Sequence, residues 1–284
     1  MSLHTTRFNG YQGMTLAADV GGDPANQPVL LLHGGGQTRH SWGKAARELA
    51  QAGYHSIALD LRGHGDSDWA ADGDYSLEAF IGDLLAVIAT LKQPPVLVGA
   101  SLGGATSLLA IGEIGNHLAR ALVLVDVVPR MAESGMKHIG EFMRANLDGF
   151  ISLQDAADAV ARYLPGRPRP SSPDGLLRNL RLKEDGRYYW HWDPAFQLGK
   201  SRPTPESFFT RLEQAASGIH VPTLLVRGKQ SDLVTLEGVQ LLLKLIPHAE
   251  FVDVEGAGHM VAGDKNDAFN SAIESFLTTI LQTA

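Results

Sequence analysis

Residues 96–104 read Val96-Leu97-Val98-Gly99-Ala100-Ser101-Leu102-Gly103-Gly104, a short apolar run followed at once by a G-x-S-x-G motif. The apolar run predicts a buried strand, and the apolar spacing over residues 105–114 predicts a helix directly after the motif. A serine forced into a sharp strand-to-helix turn leaves no room for side chains at the positions two residues before and after it. Gly99 and Gly103, which have no side chain, meet this requirement. The pattern therefore predicts Ser101 as a nucleophile beside a helix N-terminus.

Strands and helices alternate on both sides of this turn. Residues 28–33 form a continuous apolar run, typical of parallel strands buried on both faces, and further strands are predicted at residues 56–60, 121–125, 222–228 and 250–254. Helical patterns occupy about 40–52, 76–91, 105–114, 238–245 and 264–281, and the first twenty residues predict two short strands around Asn9-Gly10. This order predicts an α/β protein with a mostly parallel central sheet flanked by helices.

The alternation is interrupted once. Between about Pro129 and Gly218 there is no comparable strand pattern, only helical stretches and a loop rich in proline, arginine and serine. A length of 284 residues suits one core domain with an insertion. We therefore predict a core formed by residues 1–128 and 220–284, with a mainly helical cap at residues 129–219.

Composition excludes several functions. With 24 Lys+Arg and 31 Asp+Glu, the net charge of −7 disfavours nucleic-acid binding. The absence of cysteine excludes disulfide scaffolds, thiol nucleophiles and Cys-ligated metals. The sequence contains no run of about 18 apolar residues, so no membrane span is predicted. The N-terminus also lacks the long apolar stretch of a signal peptide, and we therefore expect a cytoplasmic protein. Metal-protease and P-loop motifs are missing, and we expect no metal and no cofactor.

A serine hydroxyl is a weak nucleophile until a base takes its proton. His259 is the candidate base, because it lies in the glycine-containing loop between the last predicted strand and the last helix. His33 and His64 follow earlier strands and are expected to be structural or wall residues.

The acid that orients the histidine should come between the serine and the histidine in the chain. Two aspartates follow strands in that interval, Asp126 and Asp232. Asp232 is predicted as the third catalytic residue because it follows the penultimate strand, nearest the His259 loop. Asp126 remains as a possible substitute or as a structural residue ahead of the cap.

Backbone amides should stabilise the oxyanion that develops at the substrate carbonyl. We predict the amide of Leu102, directly after the nucleophile, and the amide of Gly35 in the loop His33-Gly34-Gly35-Gly36. The predicted substrate pocket contains Gly34, Gly36, Trp190, Trp192 and Met260. The two tryptophans belong to an aromatic cluster at residues 188–194, interpreted either as a pocket ceiling or as packing of the cap.

Together these pieces resemble the α/β-hydrolase-fold enzymes that carry a cap domain, and the resemblance covers essentially the whole chain. The matching segments are His33-Gly34-Gly35-Gly36, Asp60-Leu61-Arg62-Gly63-His64-Gly65-Asp66-Ser67, Gly99-Ala100-Ser101-Leu102-Gly103-Gly104, Ser231-Asp232 and Gly258-His259. Related epoxide hydrolases and haloalkane dehalogenases use an aspartate nucleophile, so Ser101 argues against both. Cofactor-free perhydrolases often have a proline in the oxyanion loop, where this chain has glycines.

The resemblance implies an esterase-like serine hydrolase that cleaves a small to medium carboxylic ester or lactone through an acyl-enzyme. A small ester-like molecule is the expected partner. A carbon–carbon bond hydrolase of a ring-cleavage product is an alternative, although such enzymes commonly have Asn where this chain has Ala100. The sequence is also compatible with a hydrolase-like ligand receptor that signals by moving its cap, and with a lyase on the same scaffold.

Overall fold

The computed structural model describes residues 2–165, 172–198, 204–259 and 266–282. Its strands are β1 (His4–Asn9), β2 (Thr15–Gly21), β3 (Pro28–Leu32), β4 (His55–Leu59), β5 (Val96–Ala100), β6 (Ala121–Val125), β7 (Leu180–Leu182), β8 (Tyr188–Trp190), β9 (Thr223–Gly228) and β10 (Glu250–Val254). Eight of them form one sheet in the order β1-β2-β4-β3-β5-β6-β9-β10. The hairpin of β7 and β8 is separate.

The sheet is parallel from β4 to β10 and antiparallel only where β2 pairs with β1 and β4. Every residue of the inner strands β3, β4, β5, β6 and β9 is buried. Strands covered on both faces need apolar side chains at successive positions, which explains the continuous apolar runs of the sequence. The mostly parallel α/β fold class is thereby confirmed.

The helices are α1 (Gly43–Gln51), α2 (Leu77–Ile88), α3 (Leu102–Ile114), α4 (Glu133–Arg144), α5 (Leu153–Tyr163), α6 (Ala195–Leu198), α7 (Pro205–Ser217), α8 (Leu236–Leu245) and α9 (Asn266–Gln282). One face of the sheet packs against α1 and α9, and the other against α2, α3, α7 and α8. Helices on both faces leave the carboxyl ends of the parallel strands as one open edge, where α/β proteins place their ligands. None of the described helices is long and apolar enough to cross a membrane.

The segment between β6 and β9 contains four helices, α4 to α7, and the β7–β8 hairpin. Strands of three residues are too short to show a period, which is why the sequence predicted no hairpin there. The last of these helices, α7, packs along α3 so closely that a Cβ atom on Gly112 would collide with the backbone of Ala215. The limits 129–219 for the cap stay a prediction, and α7 lies against the core within them.

Candidate active site

Ser101 occupies the turn between β5 and α3 with φ 45° and ψ −110°, a strained conformation for a residue with a side chain. A Cβ atom on Gly99 would lie 2.5 Å from the backbone of Gly103, and one on Gly103 would lie 2.5 Å from the carbonyl oxygen of Leu32. Both glycines are therefore required by backbone packing. Strain of this kind costs about 1–3 kcal/mol and is typical of functional sites.

The glycine loop that follows β3 lies against Ser101, since a Cβ atom on Gly34 would be 3.3 Å from the Ser101 Cβ. The amide of Gly34 donates to the side-chain oxygen of Gln37 at 3.2 Å. The amide of Gly36 donates to Nε2 of His64 at 3.0 Å. The Gly35 amide has no acceptor within the described part of the chain, so of the three glycine amides it is the one left available to a ligand.

The amide of Leu102 is the first of helix α3 and also has no protein acceptor among the described residues. The next amide, that of Gly103, donates to the carbonyl oxygen of His33 at 3.2 Å. Two donors that no described residue engages, on Leu102 and Gly35, thus lie beside Ser101. Paired amides of this type are what an oxyanion needs.

His259 is held by Asp126. Nδ1 of His259 donates to Oδ2 of Asp126 at 2.6 Å, and the Asp126 side chain is 1 % exposed. The same carboxylate accepts the Gly228 amide at 3.1 Å and the Ser231 hydroxyl at 2.6 Å. A carboxylate on Nδ1 fixes the tautomer of the ring and leaves Nε2 free to accept a proton.

Asp232, predicted as the acid of the triad, forms no hydrogen bond or ion pair with His259 within the described residues, where His259 pairs with Asp126 instead. The hydroxyl of Ser231 accepts the amides of Leu233 and Val234, both at 3.1 Å, and this turn leaves Asp232 exposed to solvent. Burial, with a smaller contribution from Asp232, raises the pKa of nearby Tyr163 to about 12. The geometry corrects the expectation: Asp126, the alternative, is the partner of His259.

Ser101 and His259 line the same cavity. No hydrogen bond joins the Ser101 hydroxyl to His259 within the described residues, a separation common in catalytic pairs without bound substrate. The cavity has a volume of about 870 Å³ and lies between the strand ends and the segment that contains α4 and α5.

Most of the cavity wall is apolar. Its large side chains include Phe80, Phe142, Met143, Leu176, Trp190, Trp192, Phe196 and Phe208. Trp190 and Trp192 line the cavity, and their rings stack with 4.8 Å between centroids and 10° between planes. Trp190 also contacts the rings of Phe142 and Phe150, so it packs the cap as well. Exposed polar residues of α4, Glu133 and Lys137, also contribute to the wall, where the cavity meets solvent.

All but one of the predicted pocket residues line this cavity, namely Gly34, Gly36, Trp190 and Trp192, together with the predicted oxyanion residues Gly35 and Leu102. Met260 lies outside the described residues. Among the residues that the structure describes, no group of three or more His, Asp or Glu side chains is arranged to hold a metal ion.

Three buried histidines surround the glycine loop: His33, His64 and His191. Burial lowers the pKa of His33 to about 4 and that of His64 to about 3, and it lowers the pKa of His191 well below the usual value. His33 and His64, expected to be structural or wall residues, hydrogen-bond to the backbone of Gly34 and Gly36, whereas no sequence pattern singled out His191. Its partners are 126 and 155 residues away in the chain, and no local pattern reports them.

Known proteins resemble this chain over most of its length. A family model described as the alpha/beta hydrolase fold matches residues 27–265. An esterase of Mycobacterium tuberculosis is 31% identical over 259 residues, which cover 88% of this chain and 83% of the relative. A 3-hydroxybutyrate-oligomer hydrolase of Cupriavidus necator is 29% identical over 252 residues, covering 84% of each chain. The solved structure of E-2-(acetamidomethylene)succinate hydrolase superposes with a TM-score of 0.85 at 23% identity, covering 97% of this chain and 99% of that one.

Proposed function

The chain belongs to the alpha/beta hydrolase fold family, and we propose that it is a serine hydrolase that cleaves a small to medium carboxylic ester or lactone through an acyl-enzyme. The catalytic residues in this proposal are Ser101, His259 and Asp126. One observation carries it: His259, hydrogen-bonded to the buried Asp126, lines the same apolar cavity as Ser101. A nucleophile, a base and a carboxylate that orients the base are what acyl transfer at a serine requires.

In the first half of the reaction, Nε2 of His259 removes the hydroxyl proton of Ser101 while Oγ attacks the carbonyl carbon of the ester. The carbonyl electron pair moves onto oxygen and forms a tetrahedral oxyanion. When this intermediate collapses, the carbonyl is restored, the bond to the alcohol oxygen breaks, and the departing alcohol takes the proton from His259.

In the second half, His259 removes a proton from water as the water oxygen attacks the acyl-enzyme. Collapse of the second oxyanion releases the carboxylic acid and returns the proton to the Ser101 oxygen. The Asp126 carboxylate stabilises the imidazolium that His259 becomes in each half. No redox partner or metal is required by this sequence of steps.

The amides of Leu102 and Gly35 are the proposed donors to both oxyanions. Their neighbours on Gly34, Gly36 and Gly103 are already paired within the protein. Loss of one such donor typically costs about 10²–10³ in turnover. Oxyanion stabilisation is therefore assigned to two backbone amides, which a side-chain substitution does not remove directly.

The cavity supports the substrate size. Ligand pockets span about 300–1,000 Å³ and are mostly apolar with a few polar groups at the reacting end. A volume of about 870 Å³ with aromatic and aliphatic walls suits an acyl or alcohol group of medium length. Esters and lactones place one polar function at Ser101 and an apolar remainder in the cavity. The curated relatives named as an esterase and as an oligomer hydrolase also support ester chemistry.

The test is turnover of p-nitrophenyl esters from two to twelve acyl carbons by the wild type and by Ser101→Ala. We expect serine-dependent cleavage, with turnover falling on the order of 10⁶-fold in the variant. A loss under tenfold would contradict the assignment of Ser101. If folded wild type cleaved no member of the series, ester hydrolysis would be wrong and a carbon–carbon substrate or a receptor role would take its place.

A further inference from the structure

His191 lies where the cap meets the core. It follows β8 directly and is 1 % exposed. Its Nδ1 accepts a hydrogen bond from the amide of Gly65 at 2.8 Å, in the turn that follows β4. Its Nε2 donates to the carbonyl oxygen of Gly36 at 3.3 Å. Since Nδ1 is an acceptor, the ring proton is assigned to Nε2, and one neutral imidazole joins two core loops.

Gly36 is held on both of its polar groups by histidines. Its amide donates to Nε2 of His64 at 3.0 Å, and its carbonyl oxygen accepts from Nε2 of His191. The His64 and His191 rings lie 5.8 Å apart, centroid to centroid. Because Gly36 has φ +76°, a conformation that only glycine adopts freely, these two bonds select one arrangement of a flexible residue.

The residue before Gly36 is Gly35, whose amide is the proposed oxyanion donor. That N–H belongs to the peptide plane of the Gly34 carbonyl, which accepts a hydrogen bond from Nδ1 of His33 at 2.8 Å. A planar peptide fixes the direction of its N–H once its C=O is fixed. The hydrogen bond from His33 thus fixes the orientation of the peptide before Gly35, and the two bonds to Gly36 fix the residue that follows it.

The part of the cap that carries His191 is tied to the core beside it. The amide of Asp193 donates to the carbonyl oxygen of Gly63 at 2.9 Å, and the hydroxyl of Tyr75 donates to Oδ2 of Asp193 at 2.6 Å. Arg181 of β7 donates to Oδ1 of Asp66 at 2.9 Å. The His191 ring therefore reaches Gly36 only while this face of the cap is docked on the turn after β4.

From this arrangement we infer that His191 is a positioning residue: it holds the oxyanion loop in its reactive form and makes turnover depend on the docked cap. The inference rests on the proposed ester hydrolysis. It assigns to the cap a second role beside forming the cavity wall, because a histidine of the cap acts on the transition state through the backbone of Gly36 and Gly35.

Two substitutions separate the bonds of the ring. His191→Gln keeps an amide donor near the position of Nε2, facing Gly36, and loses the acceptor for Gly65. His191→Asn keeps an acceptor near the position of Nδ1 and loses the donor to Gly36. The matched control is His248→Asn, since Nε2 of His248 also bonds a backbone carbonyl, that of Val221 at 2.9 Å, and His248 does not line the cavity.

The measurement is kcat and KM for a p-nitrophenyl ester, with the urea midpoint of each variant and with Ser101→Ala in the same assay. We expect His191→Asn to lower kcat at least about tenfold with KM within about threefold, because an oxyanion interaction is made in the transition state. The kcat of His191→Gln should stay much closer to that of the wild type, and the kcat of His248→Asn should equal it.

Equal losses of kcat in the Gln and Asn variants, or losses that follow their urea midpoints, would overturn the positioning role while serine-dependent turnover of the wild type kept the proposed function intact. A wild type without serine-dependent turnover would overturn both proposals. If His191→Asn does not fold, His191→Gln decides: a folded Gln variant that loses more than about tenfold in kcat contradicts the donor role.

Discussion

Nδ1 of His259 donates a hydrogen bond of 2.6 Å to Oδ2 of Asp126, across 133 residues of sequence. Asp126 directly follows β6, at the edge where the parallel strands end, and has φ 48°. Its carboxylate also accepts the Ser231 hydroxyl and the Gly228 amide. The turn after β9 thus donates hydrogen bonds to the Asp126 carboxylate, although the sequence predicted that this turn would supply the partner of His259.

We expect contrasting effects on kcat from substitutions of Asp126 and Asp232. Asp126→Asn should lower kcat about 10⁴-fold, as loss of the orienting carboxylate does in other triads. Asp232→Asn changes an exposed side chain and should stay within about twofold of the wild type. Steady-state kinetics on one ester checks both, and a larger loss in Asp232→Asn than in Asp126→Asn would reverse the assignment.

Gly103 should tolerate no side chain. In Gly103→Ala the new methyl group would lie 2.5 Å from the Leu32 carbonyl oxygen, so β3 or α3 must shift. We expect the free energy of unfolding to fall by about 1–3 kcal/mol, the usual cost of overpacking. The control is Gly175→Ala, where a Cβ meets nothing within 4 Å. Urea denaturation compares the two, and equal stabilities would show that the turn is looser than its contacts indicate.

The buried histidines predict a stability loss in acid. The native state keeps His33 and His64 neutral down to about pH 4 and 3, because burial lowers the pKa of both rings. An unfolded chain takes up these protons below its ordinary histidine pKa of about 6.5. The contribution is therefore complete above pH 6.5 and is lost as the pH falls, by about 1.4 kcal/mol per pH unit for each histidine.

Urea unfolding between pH 7 and pH 4.5 measures this slope. His191→Gln should make it shallower by about one proton, since His191 is also kept neutral by burial. The exposed His117 is the control, and His117→Gln should leave the slope unchanged. A slope that is the same in all three proteins would contradict a buried, neutral His191.

The cavity predicts chain-length selectivity. Val160 of α5 lines it, whereas Arg162 of the same helix is exposed and does not. Val160→Trp should displace two or three buried methylenes of a long acyl chain, at about 0.8 kcal/mol each, and lower kcat/KM for long esters about 15- to 60-fold. Acetate esters should be spared, and Arg162→Trp should leave the profile unchanged. Equal losses for p-nitrophenyl acetate and decanoate would show that the acyl chain lies elsewhere.

Much of this arrangement could be predicted from the sequence because its causes are local. Apolar runs between turns predicted the buried strands, and the glycines around Ser101 predicted the strained turn at the end of β5. The partner of His259 could not be predicted, because Asp126 and Asp232 both follow strands and only the Ser231 turn decides which carboxylate faces inward. The contacts of His191 could not be predicted for a related reason: both of its hydrogen-bond partners lie in distant loops of the core.

Ser101, activated by His259 and Asp126, is the proposed nucleophile, and covalent labelling tests this most directly. The measurement is reaction of the wild type with a fluorophosphonate, followed by peptide mass spectrometry, with Ser101→Ala and Asp126→Asn treated in parallel. We predict one phosphonyl group per chain on Ser101, none in Ser101→Ala, and strongly slowed labelling in Asp126→Asn. Phosphonylation of another residue in the wild type, or equal labelling of Ser101→Ala, would contradict the assignment.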